Sequence, residues 1–434
     1  MESSAWRPTW PVSSDASYVA LLERHRAEVL AELVPFLRRL DWPAERERRL
    51  RGLLSFARLH SPHYRDLLGS VDLESFTEAG LPRLPPTSEA EPIHRFDEIV
   101  TDPRIRLDVV NEQIENLRSD TYLFGRFRAL PTGESSGTRE VFVYDWGDWT
   151  TFAAMANRWP VRAALAERHA DPGTYVSVYA DRATHISDTL QDVFTPPAGE
   201  RGHRLPVTLP VETLVAELNR LQPTELSSYQ STVAVLTAEA IAGSLVIRPA
   251  RVSTVGELLS EASRELVREA WGIEVTDTWG CTVSVYAFTY TTAQGMHLPE
   301  DLATVEPVDA SVEPVALGQP ASKIYVTNLY NMAQPLIRCE ITDSMTVSDE
   351  PCPCGSAQRP AFDLRSRLDD VFAQEGGPTL RSLMVLCDAL EIDRHVIDFQ
   401  VHQAPRRADA LVVSEGPVDL GAIDAELGRS LDAA

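Results

Sequence analysis

A chain of 434 residues, 44% of them hydrophobic, has room for two or three structural units and a substantial core. Its formal net charge of -24 argues against a nucleic-acid surface or a polybasic membrane patch, because both need clustered cations facing phosphate. The five cysteines (Cys281, Cys339, Cys352, Cys354 and Cys387) are an odd number in a long chain and do not form a disulfide framework. Lys323 is the single lysine, which rules out any mechanism needing a lysine elsewhere.

The opening stretch MESSAWRPTWPVSSDASYV carries no basic segment followed by an apolar one, and no apolar run approaches the roughly 20 residues a membrane span requires. A soluble, cytoplasmic protein is expected. Over residues 15–70, YVALLERHRAEVLAELVPFLRRL and RRLRGLLSFARLH place apolar residues three and four apart and predict helices, interrupted at Pro62. A proline-rich connector, GLPRLPPTSEAEP, follows.

Next comes a run of small residues, Gly133-Glu134-Ser135-Ser136-Gly137-Thr138, set just before the apolar run Val141-Phe142-Val143-Tyr144. Glycine backbone and serine or threonine hydroxyls crowd around an anion where larger side chains do not fit. Beyond Val141, β-branched runs (TYVSVYA, IEVTDTW, KIYVTNL) alternate with helical patterns (VETLVAELNRL, STVAVLTAEAIAG, GELLSEASRELVREAW), which predicts layered α/β structure with partly parallel sheets. After RSRLDDVF the pattern changes. HVIDFQVHQAPRRADALVVS predicts two strands joined by a polar turn, and DLGAIDAELGRSLD a closing helix capped by Asp419.

Four stretches together resemble the phenylacetate-CoA ligase-like branch of the adenylate-forming enzymes: SSGT at Ser135 to Thr138; GIEVTDTWGCT, preceded by STVGELLSEASREL; GMHLPEDLATVEPVD; and IYVTNLYNMAQPLIRCEITD with the later CPCG and RSRLDDVF. Their order and spacing hold from about Phe56 to Phe372. The resemblance implies an α/β fold with a large layered adenylate-forming domain over residues 1–368 and a truncated α+β small domain over 369–434. Within the large domain, 1–130 is a helical region and 131–368 carries the nucleotide and acyl sites.

What such enzymes do is join a carboxylic acid to ATP as an acyl-adenylate and then transfer the acyl group to a nucleophile. By resemblance, Ser135, Ser136 and Gly137 line the phosphate loop, and Gly256 and Glu257 the turn beside the nucleotide. Trp279, followed by Gly280, stands where the family stacks a tyrosine on adenine, and a core tryptophan is the alternative. Asp343 matches the aspartate that holds the ribose hydroxyls, which a carboxylate is suited to accept. Arg367 matches the interdomain arginine and Asp369 the hinge.

Thr138, Arg139, Thr282 and His185 are the catalytic candidates, with His185, Tyr229, Gln230 and Ser231 along the acyl pocket. Ordinary helix-start residues are the competing account of the last three. His297, Cys352 and Cys354 have partial zinc-ligand character, against the alternative of reduced, packed cysteines, since a structural zinc needs about four ligands.

The chain departs from the family pattern at three points. Arg139-Glu140 stands where the loop carries a lysine, and its planar guanidinium is not equivalent to an ammonium. Val283 replaces the magnesium glutamate and offers no oxygen ligand. The shortened tail has no lysine. The expected activity is therefore an atypical, ATP-dependent activation of a small, aromatic carboxylic acid with transfer to an amine, hydroxyl or thiol. Use of ATP/AMP is implied, while magnesium, zinc and a homodimer stay open. The alternatives are an ATP-independent acyl-transfer or condensing enzyme and a catalytically silent ligand-binding relative.

Overall fold

The computed structural model describes residues 42–88, 91–116, 122–131, 140–152, 155–156, 173–180, 202–257, 259–281, 285–289, 295–350, 352, 358–365, 371–373, 380–382, 396–404, 407–414 and 416–425. The N-terminal part is helical, with α1 (Trp42–His60), α2 (Pro62–Leu67), α3 (Glu91–His94), α4 (Phe96–Ile99) and α5 (Leu107–Asn116). The break expected at Pro62 is a helix start: Pro62 opens α2, where a missing N–H costs nothing, and the Ser61 side chain accepts from the Tyr64 nitrogen. The apolar stripe of α1 (Leu50, Leu53, Leu54, Ala57) packs in one cluster with Tyr64, Leu329 and Ile337 and so meets the second half of the chain.

Strands follow in chain order: β1 (Phe127–Pro131), β2 (Val141–Asp145), β3 (Tyr175–Tyr179), β4 (Gly202–Pro206), β5 (Glu225–Ser228), β6 (Arg251–Val255), β7 (Val275–Cys281), β8 (Val285–Thr289), β9 (Met296–His297), β10 (Ala303–Val308), β11 (Pro320–Ala321), β12 (Lys323–Asn328), β13 (Cys339–Ile341), β14 (Ser344–Val347) and β15 (Pro360–Arg365). Helices α6 (Val211–Leu221), α7 (Gln230–Ala242) and α8 (Glu261–Trp271) fall between β4 and β5, β5 and β6, and β6 and β7.

A ten-stranded sheet in the order β11-β14-β15-β9-β8-β7-β6-β5-β3-β4 organises the molecule. From β4 to β7 the strands are parallel, and from β7 through β11 they are antiparallel. Strand β7 is thus the switch, pairing Thr278 with Val255 of β6 on one side and Trp279 with Ala287 of β8 on the other. The parallel half is covered by its crossover helices, as parallel strands require: Val176, Leu226, Val252 and Val275 pack with Leu218 of α6 and Val233 of α7. A second, three-stranded sheet, β10-β12-β13, is separate. It leads into the large sheet through the two-residue link Thr342-Asp343 between β13 and β14.

The expected helix over GELLSEASRELVREAW is shorter than its pattern. Gly256 takes a positive φ of 86°, which suits glycine, and Ser260 caps α8 by accepting from the Ser263 nitrogen, so the helix begins at Glu261. In the C-terminal part, β16 (Val371–Ala373) pairs with β17 (Leu380–Ser382), and β18 (Val396–Ala404) with β19 (Arg407–Ser414), both antiparallel. The β18-β19 hairpin is the one read from the sequence. The expected closing helix begins at 420, where Asp419 Oδ1 accepts from the nitrogens of Gly421 and Ala422, both at 3.0 Å. Among the described residues no helix is long and apolar enough to cross a membrane.

Candidate functional site

In an open sheet with parallel strands, side chains converge beyond the C-terminal ends of those strands. Here those ends carry Tyr179 as the last residue of β3, Tyr229 after β5, Gly256-Glu257 after β6 and Trp279-Gly280 in β7. These six residues fall at four positions well apart in sequence, and the parallel crossovers bring them to one edge.

Tyr229 is the N-cap residue of α7, and Gln230 and Ser231 open that helix. The rings of Tyr179 and Tyr229 meet edge to face, with centroids 5.0 Å apart and an interplanar angle of 85°. Tyr179 shares a 2.7 Å hydrogen bond with Ser227 Oγ, which also receives the Ser253 hydroxyl at 2.8 Å. Hydroxyl bonds therefore run across β3, β5 and β6 at this edge. A Cβ on Gly256 would meet the Tyr229 ring at 3.5 Å, ordinary contact, so it is the positive φ that calls for glycine there.

The exposed carboxylate of Glu257 accepts from the Ser231 nitrogen at 2.7 Å and the Ser231 hydroxyl at 3.0 Å. It thereby ties the turn after β6 to the start of α7. Gln230 turns the other way: its side chain is buried and its Nε2 donates to Ser263 Oγ at 2.6 Å, joining α7 to α8.

Trp279 and Asp343 are brought into direct contact, with the indole Nε1–H donating to Asp343 Oδ2 at 2.8 Å. Asp343 reaches Trp279 from the link between the two sheets. The indole is only 8% exposed and packs in the same core cluster as Tyr144, Met345 and Val347. Two residues before it, burial pushes the Asp277 carboxyl above the usual carboxylate range, although Thr254 Oγ1 donates to it at 2.8 Å and Arg264 lies 3.9 Å away.

Lys323, the one lysine, sits in β12. It is ion-paired to Glu340 at 2.5 Å, with its Nζ 5.6 Å from the Tyr325 ring centre. The hydrogen bond to Glu340 pushes its pKa upward. Arg338, in the PLIRCEITD stretch, donates to both oxygens of Glu306 at 3.1 Å and to the Leu84 carbonyl, which anchors the connector segment to the strands.

His297 is in β9 and fully buried, and Cys352 is buried. Among the described residues no group of three or more His, Cys, Asp or Glu side chains is placed to hold a metal ion. The expected site residues Ser135, Ser136, Gly137, Thr138, Arg139, His185, Thr282, Arg367 and Cys354 lie outside the described residues, as do Val283 and Asp369. Tyr179 and Ser227 were not singled out by the sequence reading. Their signal was the position at the end of a β-branched run followed by a helix or turn.

No protein-family model and no curated protein matches the chain. Among solved structures it resembles 2-hydroxyisobutyryl-CoA ligase. In the postadenylation state with R3-HIB-AMP, the match has a TM-score of 0.64 at 18% identity and covers 89% of this chain and 82% of that one. In an open conformation with 2-HIB-AMP and CoA, the TM-score is 0.59 at 18% identity, with 89% and 88% covered. In the thioesterification state it is 0.55 at 17% identity, with 97% and 85% covered. The fold of this chain is that of 2-hydroxyisobutyryl-CoA ligase, a mixed α/β fold of the kind expected from the sequence motifs.

Proposed function

We propose that the chain is an adenylate-forming enzyme that activates a small carboxylic acid as its acyl-adenylate and passes the acyl group to an amine, hydroxyl or thiol. The observation that carries this reading is the contact between Trp279 and Asp343 at the C-terminal edge of the parallel strands. It pairs the two residues that the motifs assign to the nucleoside, in a fold shared with a ligase whose structures hold an acyl-AMP. Asp343 would accept from the ribose hydroxyls, and the Gly256-Glu257 turn would line the nucleotide. Tyr229, half-buried and packed edge to face on the buried Tyr179, supports an aromatic acid, because its ring offers a flat apolar surface.

Acyl-adenylate formation moves negative charge onto the departing pyrophosphate, and this chain's cations for that step are arginines, Arg139 among them. Magnesium is not assigned a protein ligand here, since Val283 offers no oxygen. Lys323 is ion-paired to Glu340 in the three-stranded sheet and is not counted among those cations.

A second reading follows from those same departures. With Val283 and Arg139-Glu140, the fold would accept an acyl group already activated elsewhere and transfer it without ATP. Pyrophosphate exchange across a panel of aromatic and aliphatic acids separates the two. Acid-dependent exchange is the expected result. Tight binding of a non-hydrolysable acyl-adenylate analogue with no exchange for any acid would overturn ATP-dependent activation and favour the second reading.

A further inference from the structure

We propose that Trp279 is a positioning residue for Asp343, its indole N–H holding the carboxylate in the orientation that accepts a ribose diol. This rests on the nucleotide reading of the site given above. Trp279 is held by strand pairing on both sides, to Ala287 of β8 directly and to β6 through its neighbour Thr278, and its ring is nine-tenths buried among core side chains. The donor is therefore rigid. Asp343 lies in the two-residue link between β13 and β14, outside both strands. The 2.8 Å bond from Nε1 restrains the rotation of its carboxylate.

The chemistry of the pair favours this role. An indole N–H only donates and does not titrate, so the bond has one sense at every working pH. An ionised carboxylate has about four lone-pair sites, and the indole N–H takes one of them, on Oδ2. A ring only 8% exposed presents little face for stacking, whereas its N–H is the part that reaches the candidate site residue.

The test is calorimetric binding of AMP and 2′-deoxy-AMP to wild-type protein, W279F, W279Y, D343N and W279F/D343N, together with the indole proton resonance of Trp279. Losing a hydrogen bond to a charged group, W279F should bind AMP about tenfold more weakly, with the preference for AMP over 2′-deoxy-AMP reduced toward one. W279Y, which restores a donor, should recover part of that preference. The double variant should bind AMP no more weakly than D343N, because the two residues act as one unit. D343N should shift the Trp279 indole proton with no nucleotide present.

Equal weakening of AMP and 2′-deoxy-AMP in W279F would make Trp279 a stacking surface and overturn the proposal. An indole proton that D343N leaves unmoved would overturn the pairing itself, whatever the nucleotide does. Failure of the wild type to bind AMP with the indole shift intact would overturn the nucleotide reading and the role of Trp279 with it.

Discussion

The carboxylate of Glu257 accepts from both the backbone nitrogen and the hydroxyl of Ser231, so a residue 26 positions downstream caps the helix that follows β5. The turn carrying Glu257 and the first turn of α7 are held as one unit, and both border the candidate site. Removing the cap takes the acceptor from the Ser231 amide at the start of α7.

Glu257→Ala is therefore expected to lower stability by about 1 kcal/mol, and Glu257→Gln by less, since the amide oxygen still accepts. Chemical denaturation followed by circular dichroism measures both. An unchanged midpoint for Glu257→Ala would remove the capping role.

Lys323→Met should leave pyrophosphate exchange and AMP affinity unchanged, because the ammonium is held by Glu340 in the three-stranded sheet rather than at the edge of the large one. The pair is partly buried, with side-chain exposures of 15% and 21%, and its loss should cost about 1 kcal/mol or less. A large fall in exchange with stability intact would place Lys323 in the chemistry after all.

Asp148 gives a pH-dependent test of the core. It is buried, Oδ2 accepts from the nitrogens of Met332 and Ala333 at 2.8 and 3.1 Å, and burial pushes its carboxyl well above the usual range. Since the folded pKa exceeds the unfolded one, the protonated group contributes stability at low pH that is lost as pH rises through the folded value. Asp148→Asn keeps an acceptor for both amides and cannot ionise. Its stability relative to wild type should improve as the pH is raised from about 4 to 8, read from denaturation curves at each pH. A difference that is flat with pH, or that moves the other way, would show that Asp148 ionises without cost in the folded protein.

Val283→Glu should strengthen Mg-ATP binding or exchange while leaving the affinity for AMP nearly unchanged, because a carboxylate adds an oxygen ligand for a hard cation and a monophosphate needs none. Calorimetry with AMP and with ATP in magnesium makes the comparison. If wild type binds Mg-ATP as tightly as an acyl-adenylate analogue and exchanges quickly, the missing glutamate is of no consequence.

Local patterns were legible in the sequence because they are set within a few turns of chain. The apolar spacing of VETLVAELNRL corresponds to α6 over Val211–Leu221, and the β-branched runs fell where β3, β7 and β12 form. The pairing of β18 with β19 and the cap at Asp419 were likewise readable, since hairpin and cap chemistry is short-range. Composition and the single lysine bounded the chemistry before any coordinate was needed.

Tertiary structure decided what depends on distant partners. The helical pattern from Gly256 did not reveal that the helix starts only at Glu261, because the turn at Glu257 is held from Ser231 on another helix. Gln230 and Ser231 are neighbours in sequence, yet one side chain joins α8 and the other the turn after β6. Trp279 and Asp343 are 64 residues apart, and only the crossing from the small sheet into the large one puts an indole donor against that carboxylate. Sequence determined which residue types were available, through local periodicity and chemistry. Which of them meet was determined by strand order and by hydrogen bonds that form only once the sheets are assembled.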